Sequence, residues 1–288
     1  MATAPPPITH VSDTARWVAV YRAMESERPD ALFRDPHARR LAGDRGAEIV
    51  RRMPRGRAYA WPMIVRTAVM DEIILRVVGG GVDTVLNLAA GLDVRPFRLA
   101  LPAALRWIDV DFPDVLEYKR EVLGDARAAC RYEPRPADLA DAVQRRAVLA
   151  AAAGGARSVL VVTEGLLVYL EPAQVADLGR DLAAQRAFAW WLTDLGSPRL
   201  LKMLARTWGD QLARGGAPFR FAPAEGSAFF APLGWREVEF RSMWDESLRL
   251  KRSIPFARFW SLIGRLYPAR KQEEFRRMSG MLLLERAA

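Results

Sequence analysis

The chain has 288 residues, near the upper size of one continuous core, and 51% of them are hydrophobic, enough to build and cover a buried sheet. The formal charge of +9 rests on 39 arginines against 4 lysines spread along the chain; only the seven between Arg39 and Arg57 approach a patch, without the aromatic array that nucleic-acid stacking needs. One cysteine, Cys130, excludes an internal disulfide, and with His10 and His37 as the only histidines a Cys/His metal cluster is excluded as well.

Met1 to His10 carries the run Ala4 to Pro7 and no apolar stretch behind positive charge, so it reads as a loose tail rather than a signal peptide. No apolar run reaches the length of a bilayer span, and a soluble cytoplasmic protein is expected. Ser12 to Gly43 places Trp17, Val20, Tyr21 and Met24 on one helical stripe, which Phe33-Arg34-Asp35-Pro36 interrupts. A second helix is expected from Pro36 and a third over Met63 to Val78, ended by Gly79-Gly80-Gly81. Residues 1–80 thus form a helical region in front of the core, expected to cover part of the active site.

The core, residues 81–288, opens with a compact strand over Thr84 to Ala89 and a loop of small residues, Ala89-Ala90-Gly91-Leu92-Asp93. A second strand covers Arg106 to Val110, and Pro113 suggests that it ends between Asp109 and Asp111; a helix follows to Leu123. A third strand is expected over Ala128 to Tyr132, with Cys130 as a small core hydrophobe, then a helix over Asp138 to Ala152. Val159 to Val162 are apolar on both faces, which suits a central parallel strand, and Pro172 sits in the first turn of the next helix. Ala187 to Leu192 reads as strand five. Periodicity is lost over about 197–230, a helical cover insertion with a helix at Leu200 to Arg214. Trp235 to Arg241 and Met281 to Glu285 read as a late antiparallel pair. The repeat of strand and helix gives an α/β fold: a doubly wound, seven-stranded, mostly parallel sheet with an N-terminal helical layer.

In such a sheet ligands bind beyond the carboxyl ends of the strands. Gly91 permits a close backbone approach there, and Ala89 and Ala90 leave room. The segment lacks the Gly-x-Gly-x-x-Gly of a dinucleotide site and the Gly-Lys-Ser/Thr of a phosphate loop, so a nucleoside without a phosphate chain is expected. A carboxylate at the end of the second strand can accept from both ribose hydroxyls. Asp109 and Asp111 are the candidates, and both could instead cap the next helix.

The stretches VLNLAAGLDVRPFRL (Val85 to Leu99), WIDVDFPDVLEYK (Trp107 to Lys119), TEGLLVYL (Thr163 to Leu170) and FFAPLGWREVEF (Phe229 to Phe240) occur in order and cover much of the chain. Together they resemble the leucine carboxyl methyltransferase superfamily, in its bacterial branch similar to polyketide O-methyltransferases of the TcmP type. The resemblance implies a class I methyltransferase using S-adenosylmethionine, with S-adenosylhomocysteine as product and no metal. It implies that Arg66 holds the methionine carboxylate, Gly91 lies under the cofactor, Asp111 binds the ribose, Asp138 and Leu139 flank the adenine, and Glu164 meets the methionyl amine. Ala89 stands where the family usually has glycine, and Val94 where threonine is common.

The reaction expected is attack by an acceptor oxygen on the activated methyl, with Tyr169 nearest the transferred group. A carboxylate acceptor arrives ionised and needs no general base. The expected acceptor is a carboxyl or hydroxyl of a small or polyketide-like molecule, to which Arg199, Arg206 and Arg220 in the cover would draw an acid. The alternatives are a protein C-terminal carboxylate and a cofactor-binding protein without turnover. Nucleic acid and membrane are not expected as partners.

Overall fold

The computed structural model describes residues 12–287, apart from the side chains at 210, 211 and 214. The expected tail, Met1 to His10, lies outside the described residues.

Seven strands form one sheet in the order β3-β2-β1-β4-β5-β7-β6. These are β1 (Thr84–Leu88), β2 (Arg106–Asp111), β3 (Arg131–Pro136), β4 (Val159–Thr163), β5 (Phe188–Gly196), β6 (Trp235–Ser242) and β7 (Ser279–Arg286). β1 to β5 pair in parallel, while β7 runs antiparallel to both β5 and β6. β1 and β4 are buried at every position, as strands covered by helices on both faces must be. The strand order reverses between β1 and β4, so their carboxyl ends open the crevice where a ligand fits.

The helices, in chain order, are α1 (Asp13–Ser26), α2 (Ala38–Arg52), α3 (Ala60–Gly79), α4 (Arg95–Arg98), α5 (Pro113–Leu123), α6 (Ala142–Ala153), α7 (Pro172–Ala183), α8 (Pro198–Arg214), α9 (Met243–Arg249), α10 (Ala257–Gly264) and α11 (Ala269–Arg276). On one face of the sheet, Leu149, Leu178 and Leu182 of α6 and α7 meet Leu86, Ile108 and Val161. On the other face, Val69, Ile73 and Ile74 of α3 meet Val85, Trp107 and Leu160. A third cluster joins α1 and α2 to Trp208 and Leu212 of α8 and to Leu92 and Val94 of the loop after β1.

Several expected boundaries move, among them the end of β5, which lies at Gly196 rather than Leu192. β2 runs through Asp111 rather than ending before it, because Asp111 still pairs with Pro136 across the ladder. The third strand is Arg131–Pro136, not Ala128 to Tyr132. It is an edge strand, where Pro134 and Pro136 are tolerated because a missing N–H on the open side costs no ladder bond. Cys130 therefore precedes the strand; it is half-buried against the core, and burial pushes its thiol up to about 11, so it is protonated at neutral pH. The next helix starts at Ala142 instead of Asp138, since the Asp141 side chain caps it by accepting from the Val143 and Gln144 amides. The segment between Trp244 and Arg277 contains α9, α10 and α11.

Candidate active site

A cavity of about 590 Å³ opens at the carboxyl ends of β1, β2, β4 and β5, and all eight residues expected at the site line it: Arg66, Ala89, Gly91, Asp111, Asp138, Leu139, Glu164 and Tyr169. Walls of Trp17, Tyr59, Trp61, Trp208, Phe219 and Phe221 bring in the N-terminal helices and the segment after β5.

Its floor is the exit of β1. Ala89 and Gly91 both take left-handed backbone, at φ +52° each, which turns the chain under the cavity. The Gly91 amide donates to Asp111 Oδ2 at 2.6 Å and the Phe112 amide to Oδ1 at 2.7 Å, so the carboxylate is fixed to the loop it faces. Burial raises the Asp111 carboxyl above its ordinary range, with the two amides pulling against it.

Asp109 is fully buried and spends its oxygens inside the fold. It accepts from Lys119 Nζ at 2.6 Å, Tyr132 Oη at 2.9 Å, Trp107 Nε1 at 2.8 Å and Asn87 Nδ2 at 3.1 Å. Of the two aspartates, only Asp111 reaches the cavity.

Across the switch in strand order stands a network of charges. Glu164, the residue after β4, takes Arg66 Nε at 2.9 Å on one oxygen and Arg95 Nη1 at 2.8 Å on the other. Arg66 also reaches Asp194 Oδ2 at 3.1 Å, and Asp194 Oδ1 accepts from the Gly165 amide at 2.6 Å. Arg95 continues to Asp71 at 2.7 Å and Asp93 at 2.6 Å, and Arg98 closes on Asp71. Burial works to raise the Glu164 carboxyl, but the Arg95 and Arg66 guanidiniums outweigh it and hold Glu164 below its ordinary value. Asp93 is likewise held well below, against its burial, by Arg95, Lys119 and Arg98. Arg66 is buried.

Asp138 and Leu139 sit in the turn before α6, where Asp138 Oδ1 accepts from the Ala140 amide at 2.8 Å. The late start of α6 is what leaves this turn at the cavity. Tyr169 belongs to the short 3-10 turn Leu167–Tyr169, with its ring 5.8 Å from Phe219. Its hydroxyl bonds to Thr14, and burial raises its pKa, so it is a neutral phenol able to donate.

Arg199, Arg206 and Arg220 do not line the cavity. Arg199 lies 4.9 Å over the Phe275 ring and Arg220 pairs with Glu171, so their charges are directed elsewhere; Arg206 is exposed. Trp190 and Trp191 do not line it either. Trp191 is fully buried among Phe230 and Trp235 and donates to Thr163 at 2.8 Å. Sequence reasoning missed Asp93, Arg95 and Asp194. Asp194 lay beyond the expected end of β5, and its place near a strand's carboxyl end was the available signal.

Among the described residues no group of His, Cys, Asp and Glu could hold a metal ion, and no helix is long and apolar enough to cross a membrane.

Residues 15–183 match the family model described as leucine carboxyl methyltransferase. A Streptomyces coelicolor protein named "Putative S-adenosyl-L-methionine-dependent methyltransferase SCO7813" is 39% identical over 172 residues, 54% of this chain and 59% of that protein. A similarly named Frankia alni protein is 37% identical over 178 residues, 57% of this chain and 61% of its own. The matched part thus spans about three fifths of these relatives' length. A Thermobifida fusca structure described as a "putative methyltransferase" superposes with a TM-score of 0.60 at 15% identity, covering 98% of this chain and 96% of that one. A DUF574 family protein from Streptomyces avermitilis gives 0.56 at 15%, covering 95% and 97%. Both share the class I methyltransferase fold described above. With more than half of its length matched by the family model, the chain belongs to the leucine carboxyl methyltransferase family.

Proposed function

We propose that the chain is an S-adenosylmethionine-dependent O-methyltransferase. The observation that carries this reading is Asp111, a buried carboxylate tied to the Gly91 amide, facing a charge network across the same cavity. The network has four carboxylates, Asp71, Asp93, Glu164 and Asp194, against three guanidiniums, Arg66, Arg95 and Arg98. Its one surplus negative charge matches a ligand that carries a sulfonium, an ammonium and one carboxylate.

In this reading Asp111 accepts from both ribose hydroxyls and Gly91 lies beneath the nucleoside, with Ala89 at the turn. Asp138 and Leu139 flank the adenine. Arg66 takes the methionyl carboxylate, and Glu164 together with Asp194 takes the ammonium. When bound, the cofactor supplies a methyl group already activated on sulfur. The chain's own work is to bind, align and exclude water. Tyr169 donates from its hydroxyl to orient the acceptor oxygen. The N-terminal helices and the segment 197–230 serve as the cover, since Trp17, Trp61 and Trp208 belong to them.

For the acceptor, the aromatic walls favour an apolar, polyketide-like molecule. The family's description favours a carboxyl group over a hydroxyl, and it supports a second reading in which the carboxylate is a protein C-terminus. The test is release of S-adenosylhomocysteine from S-adenosylmethionine, offered with aromatic carboxylic acids, phenols, or peptides ending in a free leucine carboxylate. Turnover with the first two classes alone supports the small-molecule reading, and turnover with peptides alone supports the second. Cofactor binding without turnover in any class would point to a non-catalytic protein.

A further inference from the structure

α10 is built inside out. Its one buried residue is Ala257, and Ser261 and Gly264, on the same side of the helix, are half-buried. Large residues face away: Phe259, Trp260 and Leu262 are 57, 53 and 61% exposed, and Phe256, in the left-handed cap before the helix, is 80% exposed. Leu266, at 85%, and Tyr267 carry the apolar face past the helix end. Phe259 packs on Trp260 at 5.6 Å, and Tyr267 on Phe275 at 6.0 Å, where Phe275 lines the cavity. An apolar face of this size, continuous with a ligand cavity, marks a contact surface rather than chance exposure.

The charges around it select the partner. From residue 247 to 272 the chain holds no aspartate or glutamate. Lys251, Arg258 and Arg265 form no ion pair among the described residues, whereas Arg252 pairs with Glu25 and Arg249 with Glu72 and Glu246. Pairing with a second copy through this face would set the same basic side chains against each other, since a two-fold contact opposes a patch to itself. Exposed aromatic rings stand beside the exposed Arg258 and Arg265. A planar interface that is apolar below and anionic above complements both.

We propose that α10 and the turn after it dock on the surface of an anionic lipid bilayer. Phe256, Phe259, Trp260 and Leu266 enter the boundary between headgroups and acyl chains, Arg258 and Arg265 meet lipid phosphates, and the cavity wall at Phe275 is brought to the membrane. The contact is peripheral, and it does not rest on the methyltransferase reading.

The test is flotation of the full chain with vesicles of phosphatidylcholine alone or with about 30% phosphatidylglycerol, at low and high salt. Native protein floats with the anionic vesicles, less so at high salt, and not with phosphatidylcholine alone. Phe259→Ser with Trp260→Ser, and separately Arg258→Glu with Arg265→Glu, lower the bound fraction about tenfold, because binding needs both the apolar area and the charge. The substituted side chains are exposed, so both variants keep the native circular dichroism and unfolding midpoint. No flotation of native protein, or equal flotation of the variants, overturns the proposal. So does a native dimer in light scattering that Phe259→Ser with Trp260→Ser converts to monomer, which would make the face a self-interface.

Discussion

Asp111 and Asp109 stand two residues apart on β2, and their partners separate them. Four internal donors saturate Asp109, while Asp111 is held by two backbone amides and left facing the cavity. Because burial raises the Asp111 carboxyl, affinity for S-adenosylhomocysteine is full at neutral pH. It is lost as pH falls through a value above the ordinary 3.9 or so. Titrations between neutral and mildly acidic pH show this, and Asp111→Asn removes the dependence. Asp93 and Glu164 have the opposite sign. Their carboxyls are held low, so they stabilise the fold above the ordinary carboxylate pKa of about 4 and lose that contribution as pH drops through their lower folded values. Calorimetric melting therefore falls steeply below about pH 4, and Asp93→Asn flattens the fall. Ala89 sits at φ +52° where glycine pays no steric penalty, so Ala89→Gly raises stability by about 1 kcal/mol in urea unfolding. Gly165, at φ +66°, would set a Cβ 3.2 Å from Arg66 Nη1. Gly165→Ala accordingly displaces Arg66 and weakens S-adenosylhomocysteine binding by about tenfold, roughly the loss of one charge-assisted hydrogen bond.

At the scale of elements, runs buried on both faces could be read directly. Val159 to Val162 announced β4, and Pro172 the start of α7, because burial and proline geometry leave local marks. β3 left none. It is an edge strand rich in arginine and proline, and only its ladder to β2 makes it a strand. The Asp138 turn was misread as helix because alanine-rich sequence dominates the window, while the stop is a single cap at Asp141. The closing strand depends on close approach: a Cβ on Gly280 would lie 2.5 Å from the Arg241 carbonyl oxygen and from the Phe240 ring. Gly280→Ala should cost about 1–3 kcal/mol in urea unfolding by forcing β6 and β7 apart.

For the whole molecule, sequence and topology point to the same crevice, since the β1 loop and the residue after β4 flank the switch in strand order. The eight residues expected around that point line one cavity. The ion network was not readable, because Asp71, Arg95 and Asp194 are far apart in sequence and meet only through the fold. The cover arginines could not be placed for a similar reason: one neighbour each, Phe275 for Arg199 and Glu171 for Arg220, decides where they point. The central claim is that this cavity binds the methionyl nucleoside through Asp111 and the network opposite. Calorimetric titration of S-adenosylhomocysteine into native protein and Asp111→Ala tests it most directly. The account predicts binding by native protein and a loss of about 1.5–3 kcal/mol, ten- to a hundredfold, in the variant; no binding by folded native protein, or equal binding by both, would contradict it.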